Sequence, residues 1–464
     1  MVRAFGRVGC AALAAFALIA PASAQARHRP PQLTRIRCVP ATSATCKGGI
    51  RVPIGRQLQL SGQRVYKGMR VSFRWSRGAL ATKLDHTRVG YVARVPPGTR
   101  AGVVSVTVSD RAGRRSNAVK ITVVAPPRLG ATVAPGTLPD VFKGNGMWIW
   151  QLSNSDGGDI ATIAERAHAA GLSTVFVKSS DGAGSRWPQF SPELVAALHA
   201  YGLRACAWQF VYGSDPLGEA ALGADAVAAG ADCLVIDAES QYEGRYAAAQ
   251  QFMGALRAAV GPGYPLGLTS FPYIDYHPRL PYSVFLGPGG AQANLPQVYW
   301  KAIGGSVDAV SAHTLAHNRI YGVALAPLGQ TYQEPPAEDI ARFRSLWASY
   351  GAGGLSWWSW QSTSEAGWLT LTQPVAPLPL PPPDPGWPAL EKGNKGDEVV
   401  WLQQHLASFD TTLGVSSTFD AATDAALRNF QAQRGLPVTG TTDALTWQAV
   451  LSLPVRVVDW TAQQ

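Results

Sequence analysis

The pattern of hydrophobic and polar positions changes rhythm along this chain, and each change marks a module. Between residues 30 and 126, the runs QLQLSG, RVSFRWS, GYVARVP, GVVSVTVSD and AVKITVV alternate apolar and polar positions, with Gly, Pro, Asn and Asp between them. A period of two broken at short intervals by turn residues predicts a small β-sandwich of immunoglobulin-like type. From 140 to 372 strand-like and helical stretches alternate instead. Eight apolar runs (146–152, 172–180, 203–213, 232–240, 265–275, 295–304, 320–330 and 353–361) are separated mostly by Ala-rich segments such as DIATIAERAHAAG and RYAAAQQFMGALRAAVG. Strand-helix alternation implies parallel strands with right-handed crossovers, and eight units in this length predict a (β/α)8 TIM barrel. The competing architecture is an open doubly wound sheet. It would want a Gly-rich turn after the first strand, where the chain reads Gln151-Leu152-Ser153-Asn154.

Residues 374–388 contain eight prolines in fifteen positions, which predicts a stiff spacer holding the last domain away from the barrel. Residues 389–453 return to helical spacing, with Val399, Leu402 and Leu406 on one face and Leu427 and Phe430 on another. At the other end, Arg3 and Arg7 precede an apolar stretch from Val8 to Ala20 and the small residues Ala22-Ser23-Ala24. That order predicts a signal peptide over 1–24, cleaved after Ala24, and a secreted, extracellular or wall-associated protein. No later stretch is long and apolar enough to span a bilayer, so the mature chain is expected to have no transmembrane segment.

Composition sharpens this outline. Hydrophobic residues at 46% and charged residues at 15% exclude disorder for most of the chain. The net charge of +10 is an average of two opposite modules: residues 27–128 carry +19, and residues 129–464 carry −11. Nucleic acid is therefore not an expected partner of the whole protein. The basic module suits anionic wall polymers, with an attraction that falls with salt. Cys38 and Cys46 are close enough to close a small loop in an oxidising compartment. Cys206 and Cys233 lie in neighbouring strands and could pair, although single cysteines in apolar strands more often read as buried free thiols.

The segments LEKGNKGDEVVWLQQHL, TFDAATDAALRNFQAQRGLPVTG and TTDALTWQAVL resemble the peptidoglycan-binding domain 1 repeat. The shared positions are the Gly393/Gly396 turn, Leu402-Gln403, Thr423, Phe430-Gln431, Gly435-Leu436, Gly440 and Thr446-Trp447. Ser417 stands where that family usually has Gly. The resemblance implies a small all-α domain of three helices and peptidoglycan, or another cell-wall polysaccharide, as partner. A helical dimerisation module is the alternative.

Chemistry in such barrels sits at the carboxyl ends of the strands. The fourth predicted strand ends Leu234-Val235-Ile236-Asp237-Ala238-Glu239, which places Asp237 and Glu239 on the same side. Two convergent carboxylates after an apolar run raise one pKa and prepare an acid for neutral pH. This Asp-x-Glu is similar to the motif of the family 25 muramidases and family 18 chitinases. The resemblance implies that Glu239 is the general acid, that Asp237 assists it, and that Tyr299 contacts an acetamido group. The chain departs from both families: it has Trp148-Ile149-Trp150 where the muramidases carry a first-strand Asp, and Val235 where the chitinases carry a further Asp. Lys178, Asp181, Gln209, Asp275, Lys301 and Gln330 lie near strand ends and are candidate substrate contacts, with Trp358 and Trp360 as candidate sugar-stacking surfaces. No metal or organic cofactor is implied. His313 and His317 have metal-compatible i, i+4 spacing but read as a solvated helix face. The expected function is hydrolysis of a glycosidic bond in peptidoglycan or a related N-acetylated glycan. The second reading is a wall-binding barrel that recognises sugar without cutting it, its carboxylates neutralised by Lys178 or Lys301.

Overall fold

The computed structural model describes residues 29–39, 51–53, 57–96, 99–100, 102–124 and 136–463. The predicted signal peptide and Cys46 lie outside the described residues. Two compact units divide the chain between Pro126 and Pro127.

The first unit has two sheets over one core. One sheet orders Gln32–Val39, Gln57–Gln63, Gly90–Arg94 and Asp85–Thr87. The other orders Arg51–Pro53, Val119–Val124, Gly102–Ser109, Arg70–Trp75 and Gly78–Lys83. Alternation sorts their side chains: Val71, Phe73, Val104, Val106 and Val108 are buried with Leu58 and Leu60 of the facing sheet. Arg35, Arg37, Arg70 and Arg74 are exposed. The basic charge is therefore carried on surfaces that the apolar period leaves to solvent.

The second unit contains the closed barrel. Its parallel strands are Gly144–Ile149, Leu172–Asp181, Arg204–Val211, Cys233–Ala238, Leu266–Ser270, Ala293–Val298, Ala324–Leu325 continued by Leu328–Gln330, and Gly354–Trp358. The eighth strand pairs with the first and closes the ring. Closure removes the open-sheet alternative. Strand parity creates two shells. Ile149, Val175, Val177, Ala205, Ala207, Leu234, Ile236 and Leu268 pack outward against the helices. Trp148, Phe176, Trp208, Val235, Leu295 and Leu328 fill the interior. Helix starts follow local chemistry: Ser191 and Asp215 each cap a helix whose next residue is Pro, and Asp159 caps the first barrel helix through the Thr162 amide.

Inside the barrel, Cys206 and Cys233 face each other across the third and fourth strands and form a disulfide, with Cα atoms 4.7 Å apart. The reading as free thiols is thereby corrected. The two cysteines point to the same interior face at the same register, a pairing that spacing along the sequence does not specify.

The proline-rich segment does not hold the last domain at a distance. Asp384 within it binds Arg319 of the barrel at 2.6 Å, and the Arg319 guanidinium lies over the Trp387 ring. Helices Asp397–Phe409, Ala421–Gln433 and Ala444–Val450 form the C-terminal domain, and the first docks on the barrel. Trp401 donates its indole N–H to the Ile320 carbonyl at 2.7 Å. Gly396 adopts φ +117°, and a Cβ there would stand 2.5 Å from the Pro278 side chain. Only glycine allows that approach. Ser417 has φ +56°, which explains why glycine is the more comfortable residue there. Composition of the linker was a poor guide because stiffness does not say which surface a chain lies against.

The docked interface is organised by a buried acid. Asp397 accepts hydrogen bonds from the Ser283 amide (2.7 Å), the Ser283 hydroxyl (2.6 Å) and the Tyr321 hydroxyl (2.7 Å). Burial outweighs those bonds and pushes its carboxyl up to about 6. A carboxyl whose pKa is raised on folding favours the folded state most at low pH, and that contribution is lost as pH rises through about 6. Asp397→Ala, which leaves Ser283 and Tyr321 without their acceptor, is expected to cost about 2–4 kcal/mol. Asp397→Asn should gain stability relative to the wild type between pH 5 and pH 7.5. Thermal unfolding of both chains across that range checks the sign.

Candidate active site

The barrel mouth is floored by aromatics because the interior must be filled. Trp148 and Trp208 lie 5.5 Å apart between ring centroids, and the Trp358 ring sits 6.0 Å from the first and 5.4 Å from the second. Their polar edges are satisfied within the barrel wall: the Trp148 indole donates to Ser356 Oγ at 3.0 Å, and that of Trp208 to the Ile149 carbonyl at 3.0 Å. Above this floor the strands end in polar side chains.

Asp237 and Glu239 do converge, and a side chain from the sixth strand joins them. Gln297 Nε2 donates to Asp237 Oδ1 at 3.2 Å and to Glu239 Oε1 at 3.0 Å. Asp237 is buried, whereas Glu239 is half-buried and so the more accessible of the two. Burial, followed by the charge of Glu239, pushes the Asp237 carboxyl well above the usual range; the Lys178 ammonium pulls the other way, and Asp181 adds to the rise. Asp237 therefore keeps its proton beyond the pH at which an exposed carboxyl would lose it. Tyr299, two residues after Gln297, is half-buried with its ring 5.3 Å from that of Tyr332. Burial, then Asp237, raises its phenol, so it stays a neutral hydrogen-bond donor.

Lys178 is held beside the pair by aromatic faces and one acid. Its ammonium lies 4.7 Å from the Trp187 centroid, 4.8 Å from Trp208 and 5.9 Å from Trp150, and it binds Asp181 at 2.6 Å. Asp181 also accepts from the Tyr212 hydroxyl at 2.7 Å, a bond that pushes the Tyr212 phenol up to about 12. Trp150 is 44% exposed at the rim, the residue best placed to offer a ring face to solvent. Trp358 is half-buried in the floor, and the peptide after it is cis.

Five of the residues expected near substrate lie elsewhere. Gln209 has the parity of Ala205 and Ala207, so it faces the helical layer and bonds the Glu219 carbonyl. Gln330 is fully buried and accepts from the Lys301 and Ala302 amides, fixing the loop after the sixth strand. Lys301 Nζ binds the carbonyls of Gln333 and Glu334 rather than either carboxylate of the mouth. Asp275 pairs with His313 at 2.7 Å, away from Asp237 and Glu239. Trp360 is buried, with its indole N–H on Asp156 Oδ2 and its ring against Trp368, so it presents no stacking face. Among the missed residues, Gln297 was legible: it is a polar position in an apolar run, two residues from Tyr299 and hence on the same face. Trp187 and Tyr212 carried no such signal, because they come from loop and strand-end positions that only the fold brings to Lys178.

Residues 395–450 match the family model described as a peptidoglycan binding domain. No curated protein matches the chain. Among solved structures, the chain is similar to a fungal endo-β-N-acetylglucosaminidase of glycosyl hydrolase family 18, at 16% identity and TM-score 0.37, covering 51% of this chain and 98% of that one. A class V chitinase from Pseudomonas fluorescens Pf-5 gives 13% identity and TM-score 0.38 over 49% of this chain and 98% of that one. The Bacillus cereus spore cortex-lytic enzyme SleL gives 12% identity and TM-score 0.38 over 49% and 73%.

Gln297 is the one amide that reaches both acids, and a donor stabilises the ionised form of the carboxylate it touches. Gln297→Leu is therefore expected to raise the pH at which Asp237 loses its proton by about one pH unit. Carbon-13 NMR titration of the labelled carboxyls reads this directly. An unchanged titration would mean that Gln297 does not govern the pair.

Proposed function

We propose that this protein is a secreted cell-wall glycoside hydrolase acting on peptidoglycan or a related N-acetylated glycan. One observation carries the proposal: a buried and a half-buried carboxylate share one amide donor at the carboxyl ends of the barrel strands, and the same compact unit contains a peptidoglycan-binding domain. In this reading residues 1–24 are a signal peptide, 30–126 form an immunoglobulin-like basic module that is drawn to anionic wall polymers, and 389–453 bind the wall.

Glu239 is the general acid in this mechanism. It is the more exposed of the pair, so a glycosidic oxygen can approach it and take its proton, while Asp237 stands beside it, joined to it through the Gln297 amide. With Trp148 occupying the interior of the first strand, no carboxylate there serves as nucleophile. The substrate's own acetamido oxygen then attacks the anomeric carbon as the glycosidic C–O bond breaks and Glu239 gives its proton to the leaving oxygen, with Tyr299 and Asp237 orienting the acetamido group. Water, deprotonated by Glu239, then opens the cyclic intermediate. The Trp150 ring stacks on a neighbouring sugar.

A second reading has the barrel bind sugar without cutting it. The observation in its favour is Val235, an apolar residue below Asp237 that leaves the pair without a third acid to relay a proton.

Release of reducing ends from purified peptidoglycan separates the two. Wild type is expected to release them, and Glu239→Gln to lose about a hundredfold or more of the rate while still sedimenting with the wall. Background release by both chains, with sedimentation intact, would favour the binding barrel.

A further inference from the structure

We propose that Asp275, His313 and His317 form a divalent-metal site, of the zinc type, where the barrel meets the C-terminal helices. The helix Val307–Asn318 carries the two histidines one turn apart, which puts their rings on the same face, 4.6 Å between centroids and 18° from parallel. Asp275 comes from the short turn Ile274–Tyr276 that follows the fifth strand. Its Oδ1 lies 2.7 Å from His313 Nε2 and its Oδ2 3.9 Å from His317 Nε2. The three candidate ligand atoms all fall within 4.8 Å of one another. Two imidazole nitrogens and one carboxylate oxygen, with positions left for water, are a donor set that zinc accepts.

The outer contacts are those that a ligating histidine needs. His317 Nδ1 lies 2.7 Å from Glu398 Oε1, the contact that holds the hydrogen on Nδ1 when Nε2 ligates an ion. The Tyr273 and Tyr276 rings pack on His313, at 4.1 Å and 5.8 Å, and fix the plane of its imidazole. A cavity of about 230 Å³, bordered by Asp275, His317 and Glu398, opens beside the cluster and leaves room for an ion with its water. All three candidate ligands are half-buried, not spread on a solvated helix face. When the metal enters, the hydrogen on His313 Nε2 gives way, either moving to Nδ1 of the neutral ring or leaving the cationic ring for solvent, so that neutral imidazole Nε2 and the Asp275 oxygen become ligands.

The site shares no residue with the barrel mouth, and its role is mechanical. Glu398 belongs to the first C-terminal helix, whereas the three ligands belong to the barrel. A bound ion that fixes His317 also fixes the hydrogen bond that crosses between the two. Metal therefore stabilises the docked arrangement.

The test uses the untagged full chain, stripped with a chelator and titrated with zinc chloride against a competing chelator, with cobalt(II) as a coloured substitute. One zinc per chain is expected, with visible absorption on cobalt binding and a higher unfolding temperature with zinc. His313→Gln and Asp275→Asn should each weaken binding at least tenfold and abolish the thermal shift. Glu398→Gln should keep the one-to-one stoichiometry with binding about tenfold weaker. Circular dichroism of the metal-free variants confirms that each has folded, and the two single variants serve as checks on each other. Absence of stoichiometric binding by the wild type would overturn the proposal. So would undiminished binding by His313→Gln and Asp275→Asn, which would place the ion elsewhere, for example at the His199–Asp232 pair.

Discussion

A closed parallel barrel has to fill its own interior, and the rest of this unit follows from how it does so. Eight strands leave a space that side chains must occupy at crystal-like density. Here Trp148, Trp208 and Trp358 take the upper half of that space, with Phe176, Leu295 and the Cys206–Cys233 disulfide below. Indoles are wide, so a few suffice, and the N–H groups of Trp148 and Trp208 each find a partner close by. No charged side chain of the described residues enters this interior below Lys178 and Asp237. The acids and the lysine are therefore confined to one level, on top of a hydrophobic floor that strengthens every interaction among them.

That floor sets the electrostatics of the mouth. Water reaches Asp237 poorly, so the carboxyl is better neutral than charged, and Glu239 nearby makes a second charge costlier still. Two features act against the neutral form of Asp237. Gln297 donates to it as well as to Glu239, and the Lys178 ammonium supplies a positive field at a distance. Lys178 does not collapse onto the pair because Asp181 and three indole faces hold it back. A lysine bonded directly to Asp237 would have lowered its pKa and favoured its charged form. The balance is one of geometry: the same four charged groups in another order would make an ordinary salt bridge.

How much of this could be seen in the sequence depended on whether period-two parity applied. It decided Asp237 and Glu239 correctly, because both lie at the end of one regular strand. It would also have excluded Gln209, which shares a face with Ala205 and Ala207 and so points at the helices, had parity been weighed over nearness to the strand end. Gln297 was open to the same reasoning through Tyr299. Parity fails where strands give way to loops. Lys301 lies in the short helix after the sixth strand and Gln330 is the last paired residue of its strand, and their side-chain partners are carbonyls and amides that no repeat along the chain encodes. The eight-strand count and the three C-terminal helices were legible because each is a local pattern. The docking of those helices was not, since it depends on which surfaces meet.

The docking surface has an unusual composition that follows from the binding domain's own turn. The Gly393/Gly396 turn brings the chain close enough for the Asp397 amide to bond the Pro278 carbonyl at 2.7 Å. At that distance the next side chains, Asp397 and Glu398, turn into the barrel surface, and both are buried. Burying two adjacent acids is unfavourable unless donors meet them. The barrel supplies Ser283 and Tyr321 for the first and His317 for the second. Such an interface is specific more than it is strong, because any other docking pose would leave a carboxylate buried without a donor. The proline-rich segment reinforces that choice, being tied to Arg319 along its course and thus unable to let the helices swing free. The C-terminal helices and the barrel are accordingly held together as one body by paired acids and donors.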